Sequence, residues 1–322
     1  MNAARVAAVD CGTNSLRLLV ADVDAASGRL TDVDRRMEIV RLGQGVDSTG
    51  RLAPEALERT LRVLEDYARI IDRASVDHIR MVATSATRDA ANAGDFVRGV
   101  TTVLGVKPEV LSGEEEARLS FSGSTAELPG EAAAPFLVVD IGGGSTEFVL
   151  GDRDDPAEIR AVSMDIGCVR LTERHLHSDP PTWAERAAAA ADIDAALDVV
   201  AHAMPASSAR TLLGLAGSVT TVAGLALGLA AYDPGVIHHA CISARDVAQQ
   251  AGALLGRTRA ERAALGVMHP GRVDVIGGGA MVLDRVISRF GFAEVLVSEH
   301  DILDGIAWSV AMGGAGAALT SL

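Results

Sequence analysis

Residues 136–150 read FLVVD-IGGGST-EFVL, and residues 6–20 read VAAVD-CGTNS-LRLLV. Each is an apolar run ending on an aspartate, then a turn of small polar residues and glycine, then a second apolar run. The pattern predicts a strand, a tight loop and a returning strand: a β-hairpin with a polar tip. The same unit occurs twice, 130 residues apart. That spacing is too long for a solenoid and predicts two homologous α/β domains. Each would offer one aspartate, Asp10 or Asp140, and one phosphate-sized loop to a shared cleft.

Outward from the hairpins, strands and helices alternate. Residues 37–42 are a candidate third strand. Leu57, Leu61, Leu64, Ala68 and Ile71 share one face of a helix over 54–71. A buried strand at 79–83 runs into a polar turn at 84–88, and a helix follows over 92–104. After a short strand at 110–111, Ser112 with Glu115 three residues on forms a capping-box pattern. TAELPGEAAAP, at 125–135, is the best boundary candidate. Beyond the second hairpin, helices are expected over 169–176 and 182–203. A strand at 211–215 leads into Ala216-Gly217-Ser218, which opens another helix, and Ser243 caps the next. A long helix is expected over 271–290, a strand at 294–297 and a last helix over 301–312. This alternation predicts α/β layers with mostly parallel sheets.

Composition narrows the function. Of 322 residues, 48% are hydrophobic, enough for a sizeable core, and the net charge of −14 argues against a general nucleic-acid binder. Aromatic residues at 3% give no stacking platform for single strands. A polyanionic small substrate is still allowed, because local arginines, backbone N–H groups and a divalent cation can overcome an acidic average. Cys11, Cys168 and Cys241 form no CxxC pair, so neither a zinc site nor a disulfide framework is expected. The first residues lack a secretory pattern. The apolar run over 212–231 is broken by glycines and by Ser218, Thr220 and Thr221, so it is not a membrane span. A cytoplasmic protein without membrane contact is the expectation.

The loops suit phosphate chemistry. Glycines let backbone N–H groups approach a phosphate, and hydroxyls of Thr13, Ser15, Ser145 and Thr146 can donate to its oxygens. An aspartate beside a phosphate is better placed to hold Mg²⁺. Glu114-Glu115-Glu116 opens a helix, where carboxylates complement the dipole. Adjacent carboxylates also raise each other's proton affinity, so one facing a cleft could act as a general base. Arg17 shares a strand face with Ser15, Arg88 follows a Ser/Thr turn, and Arg272 lies at a helix start. His238 and His239 are adjacent and so are not expected to converge on one metal. His269 and His300 are expected to be structural or solvent-facing. Cys11 has no base paired with it in sequence.

Six segments in order, DCGTNSLRLLV, ATSATRDA, LSGEEEARLSFSG, VVDIGGGSTEFVLG, GLAGSVTTVAGL and GRVDVIGGG, together resemble the exopolyphosphatase/guanosine pentaphosphate phosphatase (Ppx/GppA) family. The resemblance covers nearly the whole chain. It implies the fold group of actin, hexokinase and Hsp70: two actin-like (ribonuclease H-like) α/β domains with an interdomain active-site cleft. The expected domains are 1–127 and 128–322, with the last helix a candidate to pack back on the first. The length matches the short form without a C-terminal helical domain.

The resemblance also implies roles. Glu116 would activate the attacking water, with Glu115 the alternative in the same run, and Glu147 would be catalytic. Asp140 would bind Mg²⁺, or Mn²⁺ in its place, with Asp10 as its counterpart. Gly142, Gly143, Gly144 and Ser145 would hold phosphate, with Gly12, Thr13, Asn14 and Ser15 opposite. Arg17, Arg88 and Arg272 would be the basic contacts, and Gly217 and Ser218 belong to the nucleoside-side motif. A homodimer is the expected assembly. DCGTNS stands where the family commonly has DIGSNS. Gly214-Leu215-Ala216-Gly217-Ser218 stands for GxGGT. Asp301-Ile302-Leu303-Asp304-Gly305 replaces GLREG, losing an arginine and adding an acid. The function expected is Mg²⁺-dependent removal of the terminal phosphate of inorganic polyphosphate. The alternatives are a pppGpp 5′-phosphohydrolase, a small-molecule kinase of the same fold group, and a non-catalytic polyphosphate or alarmone sensor.

Overall fold

The computed structural model describes residues 4–130 and 132–313, so Glu131 of the expected linker lies outside it. The chain forms two compact units, Met1–Gly123 with Ile302–Leu322, and Ser124–Asp301. The sequence pattern had pointed to a single break at 127/128.

The first unit is built on a five-stranded sheet, ordered β3-β2-β1-β4-β5. Its strands are β1 (Ala4–Cys11), β2 (Ser15–Asp24), β3 (Arg29–Ile39), β4 (His78–Ala83) and β5 (Glu109–Val110). Strand β1 is central and buried on both faces. Ala7, Val9 and Cys11 join a core with Leu64, Tyr67 and Ile71 of the helix Pro54–Ala74 and with Phe96 and Val100 of the helix Ala93–Leu104. On the other face, Val6 and Ala8 pack with Ile302, Leu303, Ile306 and Ala307 of the helix Ile302–Ala311. The alternation of side chains along a strand thus makes β1 the middle of three layers. β3 starts eight residues earlier than expected. It is an edge strand rich in charge, with no apolar alternation to announce it.

The second unit carries a six-stranded sheet, ordered β10-β11-β9-β6-β7-β8. The strands are β6 (Phe136–Ile141), β7 (Thr146–Asp152), β8 (Asp155–Met164), β9 (Thr211–Leu215), β10 (Cys241–Ser243) and β11 (Glu294–Val297). Removing edge strand β10 leaves β8-β7-β6-β9-β11, the same order as β3-β2-β1-β4-β5. The duplication seen in sequence is therefore a duplication of topology.

The sheets are mixed, which corrects the expectation of mostly parallel pairing. β1-β4, β4-β5, β6-β9 and β9-β11 are parallel, whereas five pairings are antiparallel. Each hairpin is extended by a third meandering strand, so antiparallel partners accumulate on that side. The long helix also differs. A 3₁₀ turn, Pro270–Arg272, precedes a helix that starts at Ile276 and ends at Phe290. Among the described residues, no helix is long and apolar enough to cross a membrane.

Candidate active site

In the first unit, the loop joining β1 to β2 is anchored from behind. The Thr13 carbonyl accepts from the Gly43 amide (2.8 Å), and that of Asn14 accepts from Val40 (3.0 Å) and Arg41 (2.9 Å). A carbonyl and the following N–H point in opposite directions across a trans peptide. The amides of Asn14 and Ser15 are therefore turned away from the 40–43 segment. Gly43 is required, because a Cβ there would overlap the Thr13 methyl and come within 2.9 Å of Ala86. Thr13 Oγ1 and Thr87 Oγ1 are buried and have no hydrogen-bond partner among the described residues. Buried polar groups without partners are uncommon and call for an explanation such as a ligand.

Asp10 and Arg17 are cross-strand partners in this hairpin. Arg17 donates from Nε and Nη2 to Oδ2 of Asp10, at 3.0 and 2.7 Å. The register of the hairpin, centred on its loop, was the signal that could have predicted this pair. Cys11 is buried, and burial followed by the Asp10 charge pushes its thiol well above the ordinary range. A buried thiol shifted in that direction is disfavoured as a nucleophile.

The three adjacent glutamates have three different partners. Glu114 is exposed and accepts from Arg118 (3.0 Å). Glu115 completes the helix cap: its Oε2 accepts from the Ser112 amide (2.9 Å) and hydroxyl (2.8 Å), while the Glu115 amide donates back to Ser112 Oγ. The Ser112 amide, then its hydroxyl, holds the Glu115 carboxyl below the usual range, against the expected mutual raising. Glu116 alone is buried, 8% exposed, and its Oε2 accepts from Arg88 Nη1 (3.1 Å). The expected turn at 84–88 is one turn of helix, Ser85–Asp89, which carries Arg88.

In the second unit, the Gly142–Ser145 loop joining β6 to β7 rests on the start of the helix Cys168–His175. The Gly142 carbonyl accepts from Cys168 N (2.9 Å), and that of Gly143 from Val169 N (2.8 Å). That of Gly144 accepts from Gly167 N (3.2 Å) and Arg170 Nε (2.7 Å). By the same peptide-plane argument, the amides of Gly143, Gly144 and Ser145 point away from that helix. Successive N–H groups on one side make an anion-binding concavity. Gly167 and Arg170, which shape it, were missed from sequence. A Gly167 side chain would collide with the backbone of Gly143 and Gly144. Thr146, expected as a phosphate donor, instead gives its hydroxyl to the Ile166 carbonyl (3.1 Å).

Asp140 and Glu147 face each other across this hairpin, in the positions that Asp10 and Arg17 hold in the first. Both are buried, and Glu147 Oε1 accepts from Ser163 Oγ (2.7 Å). Like charges as cross-strand partners are destabilising, and a small hard cation would lessen that repulsion. Among the described residues no group of three or more His, Cys, Asp or Glu is arranged to hold a metal. Mg²⁺ does not demand one, since it binds through one or two carboxylates plus waters and substrate phosphates. The donor set fits it.

Beside β9, Ala216 has φ 68°, in the left-handed region, and Gly217 follows at the start of the helix Ala216–Ala226. The Arg272 guanidinium occupies the space a Gly217 side chain would need. Ser218 is hydrogen-bonded to the Cys168 thiol, which burial raises. The structure thus brings Gly217, Ser218 and Arg272 together. His238 Nδ1 accepts from the Glu299 amide (3.1 Å), and its ring lies 3.6 Å from that of His239 and 4.6 Å from that of His300. His269 caps the Pro270–Arg272 turn. The departing Asp301–Gly305 segment has a structural account. Buried Asp304 pairs with Arg35 of β3 (2.5 Å), and Gly305 lets its helix meet the Leu119 backbone.

A model of the Ppx/GppA phosphatase family matches residues 19–311. Exopolyphosphatase 2 of Mycobacterium tuberculosis is 51% identical over 318 residues, which is 95% of this chain and 98% of that protein. The solved structure of an exopolyphosphatase-like protein has a TM-score of 0.91 and 42% identity, covering 96% of this chain and 99% of its own. An exopolyphosphatase from Cytophaga hutchinsonii has a TM-score of 0.88 and 26% identity, covering 97% of this chain and all of its own, 100%. Duplicated hairpin loops, the two-sheet actin-like fold and near-complete coverage agree: the chain belongs to the Ppx/GppA phosphatase family.

Proposed function

We propose that this chain is an exopolyphosphatase, a hydrolase that releases the terminal phosphate of inorganic polyphosphate. The observation that carries the reading is the loop architecture: in each unit a buried aspartate is followed by a hairpin loop whose carbonyls are tied down from behind, leaving amides for an anion. The named relative at 51% identity supports the substrate. In the first unit the amides of Asn14 and Ser15, with the Thr13 hydroxyl, suit phosphate oxygens, and in the second unit so do those of Gly143, Gly144 and Ser145. Arg272 adds positive charge beside Gly217. Glu116 takes a proton from the attacking water; in-line phosphoryl transfer needs little more from the protein than positioning and charge stabilisation. Asp140, with Glu147 beside it, holds Mg²⁺ or Mn²⁺, which when bound supplies charge neutralisation on the transferred phosphate. Arg17 neutralises Asp10 and keeps the first hairpin in shape. All three cysteines are free, which suits the reducing cytoplasm in which we place the protein.

The test is orthophosphate release from polyphosphate, pppGpp and ATP in parallel, with and without Mg²⁺. The proposal expects the highest kcat/KM on polyphosphate. A higher value on pppGpp assigns the guanosine pentaphosphate branch of the family instead. Binding of polyphosphate without release would make the protein a sensor.

A further inference from the structure

We infer that Cys168 and Ser218 are a positioning pair that holds the Gly142–Ser145 loop and the Arg272 guanidinium in register, and that the Ser218 hydroxyl is not itself a phosphate contact; the inference rests on the reading of that loop as an anion cradle. The loop and the starts of three helices of the second unit converge on the pair. Cys168 opens the helix on which the loop rests, and its amide donates to the Gly142 carbonyl (2.9 Å). Its carbonyl accepts from Thr172 Oγ1 (2.7 Å), one turn further along the same helix. Its thiol is hydrogen-bonded to Ser218 and close enough to Arg272 to feel that charge. Ser218 lies in the first turn of the helix Ala216–Ala226, directly after Gly217, the residue against which the Arg272 guanidinium packs.

The start of the helix Ile276–Phe290 closes the junction. A Cβ on Gly279 would overlap Ser218 Oγ and come within 3.2 Å of Cys168 Cβ. The Ser218 hydroxyl therefore points at this helix rather than at solvent, and both Cys168 and Ser218 are buried. Two side chains from different helices thus share one socket beside Gly279. The hydrogen bond between them links the loop, through the Gly142 carbonyl, to Arg272, through Gly217. A chain of phosphates that touches both parts is bound well only while they keep their spacing. Loop amides and guanidinium hold the substrate before and during the reaction alike, so a disturbed spacing shows in KM rather than in kcat.

The experiment measures kcat and KM on polyphosphate, and Kd for polyphosphate by calorimetry. The proteins are wild type, Cys168→Ala, Cys168→Ser, Ser218→Ala and the double variant Cys168→Ala with Ser218→Ala. Alanine and serine are nearly equal in size, so both leave the same gap where the sulfur was, and only serine keeps a hydroxyl that can bond Ser218. One net hydrogen bond corresponds to roughly a two- to tenfold change in binding. Cys168→Ala is expected to raise KM and Kd by about that factor, with kcat within about twofold of wild type. Ser218→Ala should match it, and the double variant should be no worse than either single one, because both remove the same bond. Cys168→Ser should recover most of the loss, and its comparison with Cys168→Ala carries the test if Ser218→Ala does not fold. Lowered melting temperatures with unmoved KM and Kd would make the pair merely structural and overturn the inference. A raised KM in Ser218→Ala beside an unmoved one in Cys168→Ala would make Ser218 a direct contact and overturn it too. Should the protein bind polyphosphate without releasing phosphate, the Kd comparison decides in the same way. No measurable binding of polyphosphate by wild type overturns the cradle reading and this inference together, whereas wild-type binding with equal Kd in Cys168→Ala overturns this inference alone.

Discussion

Substituting the three adjacent glutamates one at a time separates chemistry from helix-end stability. Glu116→Gln keeps shape and still accepts from Arg88, but it cannot take a proton. General-base catalysis contributes ~10²–10⁴-fold, about 3–5 kcal/mol of barrier. Its kcat on saturating polyphosphate should fall by that factor with little change in KM. Unfolding stability should fall by about 1 kcal/mol or more, since the hydrogen bond from Arg88 loses its charge assistance. Glu115→Ala should do the reverse. It removes the acceptor of the Ser112 amide and hydroxyl, costs roughly 1 kcal/mol of stability, and leaves kcat near wild type. Glu114→Gln breaks an exposed pair with Arg118 worth at most ~0.3–0.5 kcal/mol and should be nearly silent in both measurements. The assays are orthophosphate release and urea unfolding on the same preparations. An inactive Glu114→Gln beside a fully active Glu116→Gln would refute both the base and the partner-based division of labour.

EDTA should abolish phosphate release, with Mg²⁺ restoring it, and Asp140→Asn should lose turnover while keeping its melting temperature; near-normal turnover of the variant would remove Asp140 from the metal site. Arg35→Ala removes one partner of the buried Asp304 carboxylate and should cost ~1–3 kcal/mol by urea melt, whereas Arg35→Met with Asp304→Leu should recover most of it; equal losses in both would show that the pair's charge is not what matters. Glu185, in the capping box of the helix Trp183–Ala203, has its carboxyl lowered to about 2 from 4.5, first by the Thr182 amide. A lowered carboxyl stabilises above its unfolded value and loses that contribution as pH falls through the folded one. The stability difference between wild type and Glu185→Gln should therefore shrink between pH 4.5 and 2, and a difference constant over that window would contradict the cap's charge dependence.

The two hairpins and most helices were legible because their signals are local. An apolar run, an aspartate and a small-residue turn encode strand–loop–strand within fifteen residues, and Ser112/Glu115 and Ser243 mark helix starts by side chains that bond within one turn. The duplication was legible for the same reason. Pairing direction was not, since strand periodicity is identical in parallel and antiparallel partners. β8 and most of β3 escaped because charged or polar edge strands lack a buried face to impose alternation. The site divides in the same way. The sequence nominated Glu116, Asp140 and the glycine loops, but it held three equivalent glutamates and several equivalent arginines. Which glutamate is buried, and that Arg88 reaches it, depends on a contact across 28 residues. That Asp304 belongs with Arg35 depends on one across 269. Local preference sets what a segment becomes; only packing brings distant charges together and withdraws them from water, and that withdrawal turns one carboxylate in a run of three into a candidate base.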